Sequence, residues 1–232
     1  MKKIVLLMAG VLICSIVNAE LMIAGWHNTV NTNNAAADVT AANISGSVAL
    51  TGWGLYDKGS DDGDYGSFTG AVAPESIDVS TGGYISRINA AYMDFTITNN
   101  GTSASDLSYF RFDAFRTYSG GISNFVLSVH SGDMTVGVVS GGAFTPHNAN
   151  PDGSDDYEDF DIDLSGLTDH MLAAEESVTF RLQMEDVRDT AKVIFIDNVA
   201  VTGATVPEPA SVSLLILGAA GSLLFRRSFC CR

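Results

Sequence analysis

Cysteine is missing from the whole stretch between residues 20 and 208, since the three cysteines are Cys14, Cys230 and Cys231. That stretch therefore has no disulfide framework and no cysteine nucleophile. A chain of 232 residues is long enough to bury a core without cross-links. We expect one domain of ordinary size, held together by packing.

Basic residues are also scarce. Only 12 lysines and arginines face 27 acids, and five of the 12 lie outside residues 20–208, which hold all of the acids. Those five are Lys2, Lys3, Arg226, Arg227 and Arg232. Seven bases against 27 acids give this stretch a formal charge of about −20, which repels phosphate backbones and excludes nucleic acid as a partner. Neutral sugars and divalent cations are easier partners, and the charge also favours solubility.

Catalytic motifs are the third absence. The chain has neither a Gly-x-Ser-x-Gly nucleophile elbow nor a His-Glu-x-x-His zinc motif. Its four histidines, His27, His130, His147 and His170, have no metal-ligand spacing. The sequence therefore predicts a protein that is not an enzyme. A pair of glycosidase carboxylates stays open, because among so many acids any two could converge in space.

The first 19 residues have the pattern of a signal peptide. Two lysines precede an apolar run over residues 4–17, and small Ala19 follows. The run is short for a membrane span of about 30 Å. We expect export and cleavage by signal peptidase between Ala19 and Glu20.

The C-terminal end carries a second targeting pattern. A motif of two prolines around a glutamate precedes 16 uncharged residues, 210–225, and two arginines. The named residues are Val206, Pro207, Glu208, Pro209, Arg226 and Arg227. Sixteen helical residues span about 24 Å, so we expect a short transmembrane helix, marginal as a permanent anchor.

This end resembles the PEP-CTERM sorting signal, whose Pro-Glu-Pro, apolar helix and terminal arginines appear here in the same order. The resemblance implies processing by an exosortase, a membrane cysteine protease that cuts near the Pro-Glu-Pro. It also implies transient anchoring in the inner membrane of a Gram-negative bacterium, then release to the cell surface or an extracellular matrix of exopolysaccharide or biofilm. We therefore assign residues 1–19 to a signal peptide, 20–204 to an acidic domain and 205–232 to the sorting signal.

Alternation of apolar and polar residues dominates the domain. Period-two patterns separated by Gly, Asn, Asp and Ser clusters predict antiparallel strands. They cover residues 44–53, 91–98, 109–114, 122–130, 134–139, 178–185 and 193–201. Residues 169–177 read as a turn into the next strand. The sequence predicts an all-β fold, a two-sheet jelly-roll-like sandwich.

The last of these strands resembles the final jelly-roll strand of many PEP-CTERM proteins, among which folds like sugar-binding modules are frequent. The similar stretch is residues 195–203. Within it, Asp197 and Asn198 favour a β-bulge over a polar site at a sheet edge.

Two acidic clusters are candidate Ca²⁺ sites. Carboxylate oxygens suit Ca²⁺, which takes about six to eight oxygen ligands. The helix-loop-helix calcium pattern fails, because Leu164 and His170 replace its glycine and glutamate. A solvated acidic face is therefore the stronger interpretation of the cluster Asp159, Asp161 and Asp163. For the other cluster, Asp57, Asp61, Asp62 and Asp64, a mobile loop is the stronger interpretation.

Tyr92 and Tyr109 are the candidate ligand-binding residues. Each lies on the polar phase of its predicted strand, opposite the apolar residues, and exposed aromatic rings can stack on sugars. If the two rings stood together they would form a platform; alternatively, each packs beneath a loop or against a neighbour across its sheet.

Three functions follow from these features. The leading hypothesis is an exported surface or matrix protein with a structural or adhesive role in extracellular polysaccharide. A carbohydrate-binding module, calcium-dependent or not, is the first alternative. A polysaccharide-acting enzyme is the second.

Overall fold

A computed structural model describes residues 20–27, 34–56, 64–68, 83–86, 88, 90–147, 157–186 and 193–205. These residues form fifteen strands and no helix. The strands are β1 (Leu21–Trp26), β2 (Asn34–Ala36), β3 (Val39–Thr40), β4 (Ile44–Thr51), β5 (Trp53–Tyr56), β6 (Gly83–Ser86), β7 (Tyr92–Asn99), β8 (Ser105–Thr117), β9 (Asn124–Gly132), β10 (Gly137–Ala143), β11 (Pro146–His147), β12 (Glu158–Asp163), β13 (Met171–Leu172), β14 (Ser177–Glu185) and β15 (Ile194–Thr205).

The strands build two sheets. The six-stranded sheet has the order β10-β9-β14-β7-β4-β2. The nine-stranded sheet follows β11-β8-β15-β1-β3, with β12 and β13 also on β8, β6 on β15, and β5 on β6. Every pairing is antiparallel except the short one between β11 and β8. The predicted antiparallel two-sheet sandwich is confirmed.

The core lies between the sheets and follows the alternation of the sequence. In β7, Met93, Phe95 and Ile97 are fully buried, while the residues between them are half-buried. Phe95 meets Phe110 of the other sheet edge-on, with ring centroids 5.5 Å apart. Burying a large apolar side chain stabilises the fold by about 1.5–3 kcal/mol. The polar side chains of these strands are left on the two outer faces, where a ligand could reach them.

Every stretch predicted from alternation overlaps a strand, and the largest difference is in 134–139, where residues 134–136 lie before β10 and only 137–139 are strand. Residues 169–177 hold the short β13 and a turn before β14, which agrees with the predicted turn. No described segment forms a helix long and apolar enough to cross a membrane. The predicted signal peptide and transmembrane helix lie outside the described residues. All fifteen strands fall within residues 20–205, so a fragment of that length contains the whole described sandwich.

The predicted bulge in the last strand is confirmed. The register between β15 and β8 shifts between Asp197 and Ala200. Asn198 adopts a left-handed backbone with φ of 46°, a conformation that asparagine tolerates better than most residues. Both Asp197 and Asn198 are fully buried, so they do not form an exposed edge site.

Candidate functional site

Tyr92 and Tyr109 belong to different sheets. Tyr92 opens β7 of the six-stranded sheet, and Tyr109 lies in β8 of the nine-stranded sheet. Each is followed by a fully buried core residue, Met93 or Phe110. Their side chains therefore point away from the shared core, on opposite sides of the sandwich. The structure does not bring the two rings together into one platform.

Arg181 joins Tyr92 to Asp94 on the outer face of the six-stranded sheet. Its Nε and Nη2 donate to the two carboxylate oxygens of Asp94, both at 2.7 Å. Its guanidinium carbon lies 3.9 Å from the centre of the Tyr92 ring. The hydrogen bonds to Asp94 raise the pKa of Arg181, because they favour the charged form. The result is an oriented guanidinium held against an aromatic ring.

Arg181 keeps hydrogen-bonding capacity beyond these contacts. A guanidinium carries more N–H donors than the two bonds to Asp94 use, and its Nη1 has no acceptor among the described residues. The side chain of Arg181 is 21% exposed and that of Asp94 is 19% exposed. Free donors beside a tyrosine ring suit a ligand with hydroxyl groups and an apolar face, as sugar rings have.

Uncharged polar side chains surround this group in register. Gln183 lies directly opposite Tyr92. Thr179 lies opposite Thr96, and their hydroxyl oxygens are 2.9 Å apart. Ser47 of β4 extends the same row. We call this surface the β7–β14 face and define it as Tyr92, Asp94, Thr96, Thr179, Arg181 and Gln183.

Tyr109 also lies against an arginine, but that arginine is enclosed. The guanidinium carbon of Arg111 is 4.4 Å from the Tyr109 ring centre, and the Arg111 side chain is only 6% exposed. Its nitrogens donate to four side chains from distant segments: Glu20 at 2.9 and 3.2 Å, Thr202 at 3.2 Å, Ser67 at 3.1 Å, and Asp161. This group ties the nine-stranded sheet to its neighbours and has little room for a ligand.

A short segment, residues 64–68, covers this side of the nine-stranded sheet. The N–H of Gly66 donates to Asp113 at 2.7 Å, and the N–H of Ser67 donates to Asp161 at 3.2 Å. Gly66 has a φ of +55°, and a Cβ there would lie 2.7 Å from an oxygen of Asp161. Alternation alone places Arg111 and Asp113 on the outer face, yet both are buried because this segment lies over them.

Beneath the segment lies a buried polar group. Asp113 and Asp197 are directly opposite each other in β8 and β15, and both are fully buried. Asn198 Nδ2 donates to Asp113 at 2.7 Å. Burial raises the pKa of the Tyr65 hydroxyl, and the negative charges of Asp38, Asp197 and Asp113 raise it further. The neighbourhood disfavours an additional negative charge.

The second acidic cluster alternates as predicted. Asp159, Asp161 and Asp163 are exposed, whereas Ile162 between them is buried. Asp161 is paired with Arg111. Asp163 accepts a hydrogen bond from the N–H of Ser165 at 2.7 Å, and the hydrogen bonds from Ser165 lower the pKa of Asp163.

The arrangement of the described carboxylates adds no support to the predicted Ca²⁺ sites. Within the described residues, no three His, Cys, Asp or Glu side chains converge as metal ligands would. Asp64 of the first cluster is half-buried at the start of the 64–68 segment. Asp57, Asp61 and Asp62 lie outside the described residues, so the calcium hypothesis remains a prediction.

The processing residues also lie mostly outside the described residues. Ala19 and the sorting motif Val206, Pro207, Glu208, Pro209, Arg226 and Arg227 are not described. Glu20 is described, and its carboxylate binds Arg111 and the hydroxyl of Thr202.

Sequence reasoning missed the residues that complete the β7–β14 face. Alternation places Asp94, Arg181 and Gln183 on the polar phases of two separate strands, but it does not reveal that these strands are neighbours. One signal could have found the pair. Asp94 and Arg181 carry opposite charges on two strands with the same alternation, and opposite charges favour direct cross-strand pairing.

Comparisons with known proteins give distant likenesses only. No protein-family model and no curated protein matches the sequence. Among solved structures, the enzymatically active domain of tailspike protein 4 of bacteriophage CBA120 is similar at 12% identity and a TM-score of 0.33 over 70% of this chain, which spans 19% of that chain. The family 11 carbohydrate-binding module of the cellulosomal cellulase Lic26A-Cel5E of Clostridium thermocellum is similar at 11% identity and a TM-score of 0.33, covering 81% of this chain and 96% of that one. The family 11 module from that organism in complex with a mixed-linked tetrasaccharide gives 11% identity, a TM-score of 0.34 and coverages of 80% and 96%.

Proposed function

We propose that this domain binds a neutral glycan through the β7–β14 face. The observation that carries the proposal is the contrast between the two tyrosine–arginine pairs. Arg111 is enclosed and donates hydrogen bonds to four side chains. Arg181 donates only to Asp94 and keeps further N–H donors at the surface beside Tyr92. A sugar would contact the part of the Tyr92 ring that Arg181 leaves uncovered and accept hydrogen bonds from Arg181 and Gln183.

Charge supports a neutral glycan over an acidic one. Asp94 and Arg181 cancel each other at the centre of the face. The surrounding domain is strongly negative, which repels uronic acids, sulfated sugars and phosphate esters. A hexose polymer without acidic groups avoids that penalty.

In the cell, the glycan-binding domain belongs to an exported protein. The signal peptide, cut after Ala19, and the exosortase sorting tail would deliver it to the surface or the extracellular matrix. There it has a non-enzymatic, structural or adhesive role, holding exopolysaccharide. The support for this part is the pattern of the two ends of the sequence.

A polysaccharide-acting enzyme is the alternative, and it needs two carboxylates about 5–10 Å apart. On the outward side of β14 and β7, the next described acid after Asp94 is Glu185. Glu185 lies four residues beyond Arg181, the partner of Asp94, which is a distance of about 13 Å along a strand. This spacing favours binding over hydrolysis at this face.

The test is retardation of residues 20–205 in native gels that contain soluble neutral polysaccharides. We expect retardation by at least one polymer, lost in Tyr92→Ala and kept in Tyr109→Ala. Release of reducing ends from the same polymers would favour the enzyme instead. Loss in Tyr109→Ala alone would contradict the assignment of the face.

A further inference from the structure

Strand β10 forms one edge of the six-stranded sheet. It pairs with β9 on one side, and no described residue pairs with its other side. All seven of its residues are exposed or half-buried. Val138 is 72% exposed, and Val136 just before the strand is 64% exposed. An edge strand of this kind presents free backbone donors and acceptors to another strand.

Strand β10 has little of the usual protection of a sheet edge. Its residues Gly-Val-Val-Ser-Gly-Gly-Ala include no charge and no proline. Charges, prolines, bulges and short length are the common devices that prevent edge pairing. Here only a bulge between Val138 and Ser140 is present. The opposite edge of the sheet, β2, is only three residues long.

We propose that β10 pairs with the β10 of a second copy, antiparallel across a two-fold axis. Such a contact uses the same surface on both copies, so the surface must be complementary to itself. Two copies, each with a charge of about −20, repel one another over most approaches. The uncharged β10 edge is where they meet without opposing like charges. The bulge limits the length of the paired strand, so association is weak and rises with protein concentration.

The pairing would join two six-stranded sheets into one continuous sheet. Val138 lies opposite Ser128 of β9, which in turn lies opposite Arg181. Both copies of the β7–β14 face would then lie on one side of the joined sheet and could hold one polymer together, which raises avidity. This consequence rests on the proposed function, whereas the pairing itself does not.

The experiment is sedimentation velocity of residues 20–205 over a hundredfold range of concentration. We expect a monomer–dimer equilibrium for the unaltered fragment. Val138→Lys and Ser140→Lys place a charge on either side of the edge strand, and each should give a monomer at every concentration. Thr40→Lys, which adds the same charge at the exposed residue of the edge strand β3, should still dimerise.

Melting temperatures of the variants, measured alongside, show whether each is folded. A monomer at all concentrations for the unaltered fragment, or an unchanged dimer in folded Val138→Lys and Ser140→Lys, would overturn the proposal. So would a fragment that stays monomeric but captures an uncharged strand-forming peptide at β10. Binding of a short oligosaccharide by Ser140→Lys, measured separately, distinguishes failure of the dimer from failure of the glycan site.

Discussion

The guanidinium carbon of Arg181 lies 3.9 Å from the centre of the Tyr92 ring, on the outer face of the six-stranded sheet. A cation over an aromatic ring at a partly exposed position contributes about 0.5–1 kcal/mol. Asp94 fixes the guanidinium from the side, so the ring and the donors are oriented before a ligand arrives. Orientation in advance lowers the entropic cost of binding.

Replacing Arg181 should separate binding from stability. Arg181→Gln removes an ion pair that is partly exposed, so the free energy of unfolding should fall by about 1 kcal/mol or less. Affinity for the glycan should fall at least about tenfold, because the donors and the cation over Tyr92 are both lost. Denaturant unfolding and calorimetric titration measure the two effects.

Replacing Arg111 should give the reverse pattern. Arg111→Gln removes a buried guanidinium that holds Glu20 and Asp161 together, and because both carboxylates are partly exposed the free energy of unfolding should fall by about 1.5–3 kcal/mol. Glycan affinity of the folded fraction should not change. A drop in affinity with unchanged stability would place a ligand at the nine-stranded sheet.

Tyr65 should make the domain sensitive to alkali. Its folded-state pKa is raised above the ordinary value of 10.0 by burial and by nearby aspartates. Above pH 10 the unfolded chain therefore releases this proton while the folded chain keeps it, and stability falls by about 1.4 kcal/mol for each pH unit. Tyr65→Phe should lose less stability than the unaltered fragment between pH 10 and 11 in urea titrations. Identical alkaline losses would contradict the buried, neutral hydroxyl.

Calcium should stabilise the domain if the aspartate-rich stretch before Tyr65 binds it. A calcium site there would raise the melting temperature of residues 20–205 by several degrees in millimolar calcium relative to EDTA, whereas a loop without bound metal, the stronger interpretation, predicts no change. The rise should disappear in the double variant Asp61→Asn, Asp62→Asn. It should persist in Asp163→Asn, because Asp163 is capped by Ser165. No rise in the unaltered fragment would mean that these carboxylates do not bind calcium and serve solubility.

Alternation predicts the strands well because the sandwich buries one side of most of them. The pattern of Met93, Phe95 and Ile97 needs no partner to be recognised. The sheet to which a strand belongs cannot be predicted in the same way, because it depends on pairing between distant segments. Tyr92 and Tyr109 lie on the outward sides of their strands, as alternation predicts, yet nothing local separates the sheet of β7 from that of β8.

The burial of Arg111 and Asp113 shows a second limit of prediction from alternation. Both lie on the polar phase of β8, and both are buried by residues 64–68, more than 40 positions earlier in the chain. The position of residues 64–68 depends on Gly66, whose backbone conformation and lack of a side chain fit the narrow space beside Asp161. Period-two alternation carries no information about such a long-range cover.

The most direct test of the glycan-binding face uses the side-chain signals of residues 20–205 in nitrogen-15 NMR. Gln183 is the only glutamine in the chain, so its side-chain amide is a unique reporter of the face. On titration with an oligosaccharide of the polymer that retards the fragment, the Gln183 amide and the Arg181 Nε–H should shift together. The Arg111 Nε–H should stay in place. Shifts at Arg111 with none at Gln183 and Arg181 would contradict the account.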